Sequence, residues 1–502
     1  MSSSGDIVVD PRQSNPRLKT DPWSRYVAKA IGLFAPRAAL NFLHSRAVLS
    51  HYTGASPKGP DQGWNPPNKS ADAVLARDRT RLLARARDLE RNSSHVSGAI
   101  NKICNNVVYT GIFPQARLKT SDGKLHKAHN DRIEEGFQLW AEDDLVNFYD
   151  LQELFVRHSW IEGEFFLHRF WDEDLREKGL VPLGLEILET DFLDSSKNET
   201  GSSGNKVKNG IEYNLQGRPV AYWMFKEHPG DCLWGSTFNE SVRIPATEIK
   251  HVFHRRRASQ GRGVSWLASI IMEMRDFSEY QSSERIAARL AAAFGIFIES
   301  PYAEHQMTHP LAGTDQDTPS IADIPKYMEP GRIDVLPIGM KISAAQYNRP
   351  GQTYEPFTKT SLKSASTGSG LSYENFSNDY EGSTYSSARQ AILEERRGYR
   401  KMQFFLNRHP NNWVWKSWID YARLAQMLGS LPQRVPVQWQ NPGWPWIDPQ
   451  KDARGAQLEL GMKITNRRRL AAERGLDWDE EIEELAEEEA ILKEKKLNAT
   501  EE

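Results

Sequence analysis

The sequence predicts a mixed α/β (α+β) protein in which long helices surround a small β-rich module. Three observations predict this. Ala71–Ala99, Asp131–Glu162, Val264–Ile298 and Ala388–Asn407 carry apolar residues at helical spacing. Between residues 163 and 256, five short runs rich in aromatic and β-branched residues are separated by turn chemistry such as Gln216-Gly217. The whole chain, 502 residues at 39% hydrophobic and 26% charged, can bury a large core without disulfides or metals.

Residues 1–24 are polar, with Pro11, Pro16 and Pro22, and read as a disordered arm. Trp23–Leu49 turns apolar and helical, and Gly54–Lys69 is a surface loop dense in Gly, Pro and Asn. The helix over Ala71–Ala99 carries Arg77, Arg79, Arg81, Arg85, Arg87 and Arg91 against Asp78, Asp88 and Glu90. Such a face either meets phosphates or pairs with carboxylates on a neighbour, and the second reading is favoured. The helical text from Asp131 to Glu162 is interrupted near Asp143 and Asp144.

The strand-like runs are Glu164–Phe170, Leu183–Leu188, Ile211–Leu215, Pro219–Phe225 and Ile249–His254. Within them, the Ser195–Asn209 insert has too little hydrophobicity to pack and reads as a mobile loop. Val264–Ile298 reads as one helix of 35 residues, roughly 50 Å long at the helical rise. Its Leu267, Ile270, Ile271, Met274 and Phe277 share one arc, and Ile286, Leu290, Phe294 and Ile298 lie on the roughly opposite side. Either the helix breaks near Gln281–Ser283, or it buries two faces against different neighbours.

Residues 301–330 form a Pro-rich connection, and Arg332–Leu336 with Met340–Ile342 reads as a hairpin. Thr358–Ser387, rich in Ser, Gly and Thr, reads as a mobile loop leading into the Ala388–Asn407 helix. Trp413, Trp415, Trp418, Trp439, Trp444 and Trp446 are expected as core or interface anchors rather than as a stacking platform for bases. Asp479–Glu502 holds eleven acids against three lysines and reads as a solvated helix fraying into a tail.

Charge and motifs exclude several kinds of chemistry. A formal net charge of -3 gives no overall basic excess to hold nucleic acid tightly. The longest uncharged apolar runs, such as Leu290–Ile298, are too short to span a bilayer, and polar Met1–Lys19 predicts no secretion signal. Cys104 and Cys232 are far apart and read as ordinary buried thiols, while His305 and His309 are poorly placed as metal ligands between Pro301 and Pro310. Gly54–Gly59 ends in Pro60 and lacks the lysine and hydroxyl of a phosphate loop, and no G-x-S-x-G or H-E-x-x-H motif occurs. Glu189, Asp191 and Asp194 could gather around magnesium as in a nuclease, but structural or solvated roles are the default for such acids.

Three passages resemble the lambda-family portal proteins of tailed bacteriophages. The first is RARDLERNSSHVSGAINKICNNVVYTGI over Arg85–Ile112. The second joins Ile249–His254 to GRGVSWLASIIMEMRDFSEYQSSERIAA. The third joins GLSYENFSNDYEGSTYSSAR at 370–389 to WPWIDPQKDARGAQLELGMKITNRRRLAAERGLDWDE at 444–480. They run in the family's order over most of the chain from about residue 70 to 490; Ser195–Asn209 and the acidic tail have no matched counterpart.

The resemblance implies a portal-type subunit with wing, stem, clip and crown regions. On this chain it divides into a disordered arm (1–24), an N-terminal wing part (25–144), a first stem helix (145–162) and a β-rich clip-like module (163–256). A second stem helix (262–298), a wing return with a channel loop (299–409), and a crown with the acidic tail (410–502) follow. It further implies a non-enzymatic ring, usually of twelve copies, at a capsid vertex of the virion, assembled in the host cytoplasm and needing no cofactor. Duplex DNA would pass through during packaging and ejection. The implied partners are the terminase large subunit, which supplies the ATPase, the major capsid and scaffold proteins, and a head-tail connector. A conduit should carry few, replaceable DNA contacts, and the candidates are Arg275, Arg285 and Arg289, within about 80° on the helical wheel, with Lys359 and Lys363. A metal-dependent nuclease or packaging enzyme, and a head-tail adaptor, remain as alternatives.

Overall fold

The computed structural model describes residues 26–27, 29–30, 66, 68–200, 204–231, 240–293, 297–299, 341–343, 351, 353–429 and 431–495. The chain divides into two units, residues 1–70 and 71–502. Residues 26–27 and 29–30 of the first are helical. The second is mixed α/β, mostly helical, with small antiparallel sheets.

Two helices open the second unit, α1 (Ala71–Asn92) and α2 (Ser94–Val107), parted at Ser93, whose backbone is extended. In α2, Val96, Ala99, Ile100, Ile103, Cys104 and Val107 recur at three- and four-residue intervals, and all are buried. Strand β1 (Phe113–Ala116) pairs with β11 (Val437–Gln440), joining distant parts of the chain. Helices α3 (Lys127–Ala141) and α4 (Phe148–Ile161) follow. Phe137, Trp140 and Phe148 meet Trp415 and Trp418 of α10 (Asn412–Leu424) in an aromatic centre with ring spacings of 5.1–5.9 Å. Trp415 and Trp418 are thus core, as their sequence context predicts.

The β-rich module contains two antiparallel sheets. β2 (Glu164–Trp171) lies between β3 (Leu183–Leu188) and β8 (Ile249–Phe253). A second sheet runs β4 (Lys206–Lys208), β5 (Ile211–Tyr213), β6 (Pro219–Phe225), β7 (Ser241–Pro245). Because successive strand residues face opposite ways, β2 serves two cores. Phe165 and Leu167 enter the main one, while Phe166 joins Ile211, Tyr222, Met224 and Ile249 in a smaller one. A short helix, α5 (Glu173–Glu177), bridges β2 and β3, its N-terminus capped by Asp172.

The module is hung from one crossing point. Gly163, leaving α4, has φ +84°, and a Cβ there would lie 2.1 Å from the Val264 carbonyl carbon. Only glycine lets the outgoing and returning backbones touch. That crossing corrects the expected 35-residue helix. Residues 264–265 are held in the crossing, Ser265 caps a single 3-10 turn (Trp266–Ser269), and α6 proper is Ile271–Ala293. Its 23 residues span roughly 35 Å. It runs unbroken through Gln281–Ser283, and Phe297–Glu299 is strand β9, paired with β10 (Lys341–Ser343). Leu267, Ile270, Ile271, Met274 and Phe277 are buried as the first arc requires, whereas Ile286 of the second is 56% exposed.

Two loops expected from composition are corrected as well. Thr358–Ser387 is mainly helical: α7 (Tyr354–Ser369), α8 (Tyr373–Ser377) and the start of α9 (Tyr385–Leu406). Its hydroxyls turn inward to their own helix, Thr360 Oγ1 donating to the Pro356 carbonyl and Thr367 Oγ1 to that of Lys363. Gly368 lets α7 approach so closely that a Cβ would sit 2.4 Å from Ile270 Cγ2. Within Ser195–Asn209, Lys206–Lys208 forms β4 and Thr200 bridges to Lys206, so part of the insert is a hairpin whose ladder hydrogen bonds offset its low hydrophobicity.

Residues 332–340 of the expected hairpin, with Cys232, His305 and His309, lie outside the described residues. Cys104 is a buried free thiol whose pKa burial pushes up to about 12. Beyond α10 come α11 (Pro449–Gly461), α12 (Arg467–Glu473) and the acidic α13 (Trp478–Glu494), none with a buried residue.

Candidate nucleic-acid interface

The five cations singled out from the sequence fall on two helices that pack together. Tyr280 of α6 stacks on Tyr354 of α7, centroids 5.8 Å apart, and meets Phe357 at a tilt with centroids 4.6 Å apart. In its first half, α6 buries Ile271, Met274 and Phe277. Between Arg285 and Arg289 no side chain is buried. Arg285 shares within about 20° the azimuth that Met274 buries about three turns earlier, so beyond the buried Glu284 α6 leaves the protein body over Arg285–Arg289. The sequence places Arg285 and Arg289 on that emerging half, and both are exposed.

The five are not electrostatically alike. Arg275 donates to Glu279 at 2.9 Å, with both side chains more than half exposed. Lys359 lies 2.7 Å from Glu355 and 3.9–4.0 Å from Glu381 and Asp379. The Glu355 hydrogen bond raises the Lys359 pKa and keeps the ammonium charged yet locally neutralised. Lys363 is exposed and stands 5.4 Å over the Tyr373 ring. Arg285 meets only a neutral partner among the described residues, donating to Ser282 Oγ at 3.2 Å. The positive potential of the pair of helices therefore rests on Arg285 and Arg289, with Lys363 at the side.

The basic face of α1 does something different. Arg79 and Arg87 enter a half-buried to buried charge cluster where α1, the α4–β2 turn and the Arg262 segment meet. Glu164, 1% exposed, accepts from Arg262 Nε at 2.8 Å, His251 Nε2 at 2.9 Å, Thr190 Oγ1 at 2.6 Å and the Gly263 amide. Burial alone would raise its pKa, but the Arg262 guanidinium and the His251 hydrogen bond outweigh that and hold the carboxyl well below its usual range. Arg79 donates to Thr190 Oγ1 at 2.6 Å and to Ser195 Oγ at 2.8 Å. Burial, and then Arg262, push the Arg79 pKa down to about 10, which leaves it charged at neutral pH.

About two turns along α1, Arg87 Nη2 reaches Glu162 at 2.7 Å, Glu189 at 2.7 Å and Asp191 at 2.6 Å. The carboxylate-pairing reading of the α1 arginines thus holds for Arg79 and Arg87. It also answers the magnesium question for these acids. Glu189 and Asp191 do gather, joined by His228, but a guanidinium already supplies their positive charge. Asp194 stands apart, accepting from Ser196 and Ser241. The sequence contained a faint signal for the cluster: Glu162 and Glu164 flank an apolar run, and a carboxylate buried there requires a cation.

A family model described as "Phage portal protein, lambda family" matches residues 58–403. The chain is 27% identical over 438 residues to a probable portal protein of Halomonas phage phiHAP-1, covering 83% of this chain and 81% of the relative. It is 24% identical over 473 residues to portal protein B of Escherichia phage lambda, covering 86% and 87%. Among solved structures, a chain in the neck of an empty gene transfer agent particle aligns at a TM-score of 0.45 and 12% identity, over 78% of this chain and 93% of that one.

Proposed function

Since the chain belongs to the lambda family of phage portal proteins, we propose that it builds a ring, of twelve copies in the usual case, at one capsid vertex and passes duplex DNA through its centre. Proteins of this family are structural components of the virion rather than enzymes. The observation that carries the proposal is the match over residues 58–403, with relatives aligned along more than four fifths of their own length. On this reading the ring docks the terminase large subunit during packaging and the head-tail connector afterwards, and meets capsid and scaffold proteins at its rim. DNA is a transient occupant. Each copy carries a formal charge of -3, so a ring accumulates negative charge and repels the duplex overall.

The Gly163–Val264 crossing supports the regional division: residues 163–256 leave and return at one point, as a clip held between two stem helices, α4 and α6, would. Residues 25–144 and 299–409 then build the wing, and 410–502 the crown. Arg285 and Arg289 are the DNA guides with the greatest weight, because Arg275 and Lys359 are largely neutralised and Lys363 lies beside an aromatic ring. Replacing Arg285 and Arg289 with Gln should leave rings intact by electron microscopy while reducing packaged DNA per particle several-fold. Arg275→Gln and Lys359→Gln should reduce it less. DNA content equal to that of the unaltered protein in all three variants would remove these residues from the channel.

A further inference from the structure

Between α9, α11 and α12 the surface opens into a cleft of about 430 Å³ whose mixed lining includes four arginines and two tryptophans. Arg396 and Arg400, one helical turn apart on α9, both stand over the Trp444 ring, at 5.6 and 5.7 Å. Arg474 lies 5.1 Å over Trp446. Two guanidinium groups on one indole repel each other. Burial, and then the charge of Arg400, lower the Arg396 pKa. One Arg396 Nη2 donates to the Pro445 carbonyl at 3.1 Å, but its buried Nε has no hydrogen-bond partner. At the rim, Arg389 is already neutralised by Asp452 at 2.7 Å.

Gly455 lines this cleft from the middle of α11, and a Cβ there would meet nothing within 4 Å. A glycine inside a helix costs about 1 kcal/mol relative to alanine. The chain's own packing gives no reason for it, and the vacant space lets an outside group approach the helix backbone.

The chain also carries the complementary surface. α13 has no buried residue. Its first turns are tied to the chain's own body, Asp479 to Arg468 at 2.5 Å and Glu483 to Lys127. Further on, Glu484, Glu487 and Glu488 meet no cation among the described residues. At 100° per residue these three and Ile491, which is 49% exposed, share one arc of about 100°. Two such acidic faces cannot pair with each other. A basic cleft and an acidic helix on different surfaces of one chain instead make a head-to-tail contact, the kind that closes into rings.

We propose that the Arg396–Arg400–Arg474 cleft receives α13 of an adjacent copy of this chain, Glu484, Glu487 and Glu488 meeting the three arginines while Ile491 covers Trp446 and approaches Gly455. A protein carboxylate helix fits better than a DNA backbone. The cleft's indoles match the apolar position on α13, which a DNA backbone lacks. This inference rests on the ring reading above.

A charge exchange in the full-length chain tests it. Arg396→Glu with Arg400→Glu and Arg474→Glu should lower the assembled fraction at 0.15 M salt at least about tenfold, and Glu484→Arg with Glu487→Arg and Glu488→Arg should do the same; combined in one chain, the two sets should restore assembly. Because either triple variant could fail to fold, a second measurement uses otherwise unchanged chains. Tagged Gly455→Cys and untagged Ile491→Cys copies are co-assembled and oxidised, and should give a disulfide-linked tagged–untagged pair that is absent when either introduced cysteine is left out. Rings that form without that cross-link overturn the inference and leave the ring reading standing, as do cleft variants that keep their rings but lose DNA. If the unaltered protein forms no ring at all, both readings fall.

Discussion

At Glu164 one carboxylate binds Arg262, His251, Thr190 and the Gly263 amide, at the place where the β-rich module joins the helices. A buried ion pair need not stabilise a fold relative to apolar residues of the same volume, but removing one partner leaves a charge stranded. Arg262→Ala should therefore cost about 3–5 kcal/mol in urea unfolding, whereas Glu164→Leu with Arg262→Met should cost much less. The pH dependence has a defined sign. Since the folded Glu164 carboxyl is held below its ordinary value of 4.5, its contribution is fully present above about pH 4.5 and is lost as the pH falls further. A titration of the stability of the unaltered protein should show that loss, and the Leu–Met variant should lack this part of it. The cluster was only half legible in the sequence. The arginines of α1 announced a need for carboxylates, but Arg79 and Glu164 are 85 positions apart and Arg262 and Glu164 are 98. Nothing local names those partners.

Among elements, the ones most legible in the sequence were those whose pattern is local. The Leu183–Leu188 and Pro219–Phe225 strands lie where their aromatic and β-branched residues predict. β7 was missed because Ser241–Pro245 is half exposed and contains an arginine and a proline. The errors at α6 and α7 share a different cause: their limits are set by neighbours. The Gly163–Val264 crossing consumes the start of the expected α6, and burial of Leu362, Ala365, Ser366 and Ser369 holds a Ser/Thr-rich segment in a helix despite its loop-like composition. The close approach of α7 to Ile270, itself 1% exposed, makes Gly368 the sensitive point of that packing. Gly368→Val should push the two apart and cost about 1–3 kcal/mol by thermal or urea unfolding. The solvent-facing Gly398→Ala on α9, where a Cβ meets nothing within 4 Å, should instead be neutral or slightly stabilising.

At the scale of the whole molecule, one subunit leaves several surfaces open. α6 begins in the core and is exposed at Arg285, Ile286 and Arg289, α13 has no buried residue, and the Arg–Trp cleft has no occupant among the described residues. An isolated monomer would leave these surfaces uncovered, whereas under the proposed reading a ring would use them as sideways contacts and as the lining of a passage. Electron microscopy of the purified full-length protein, viewed along the particle axis, is the most direct test of this account. It predicts closed rings of identical subunits around a hole wide enough for a DNA duplex. Monomers or dimers without a central hole under every assembly condition would contradict it.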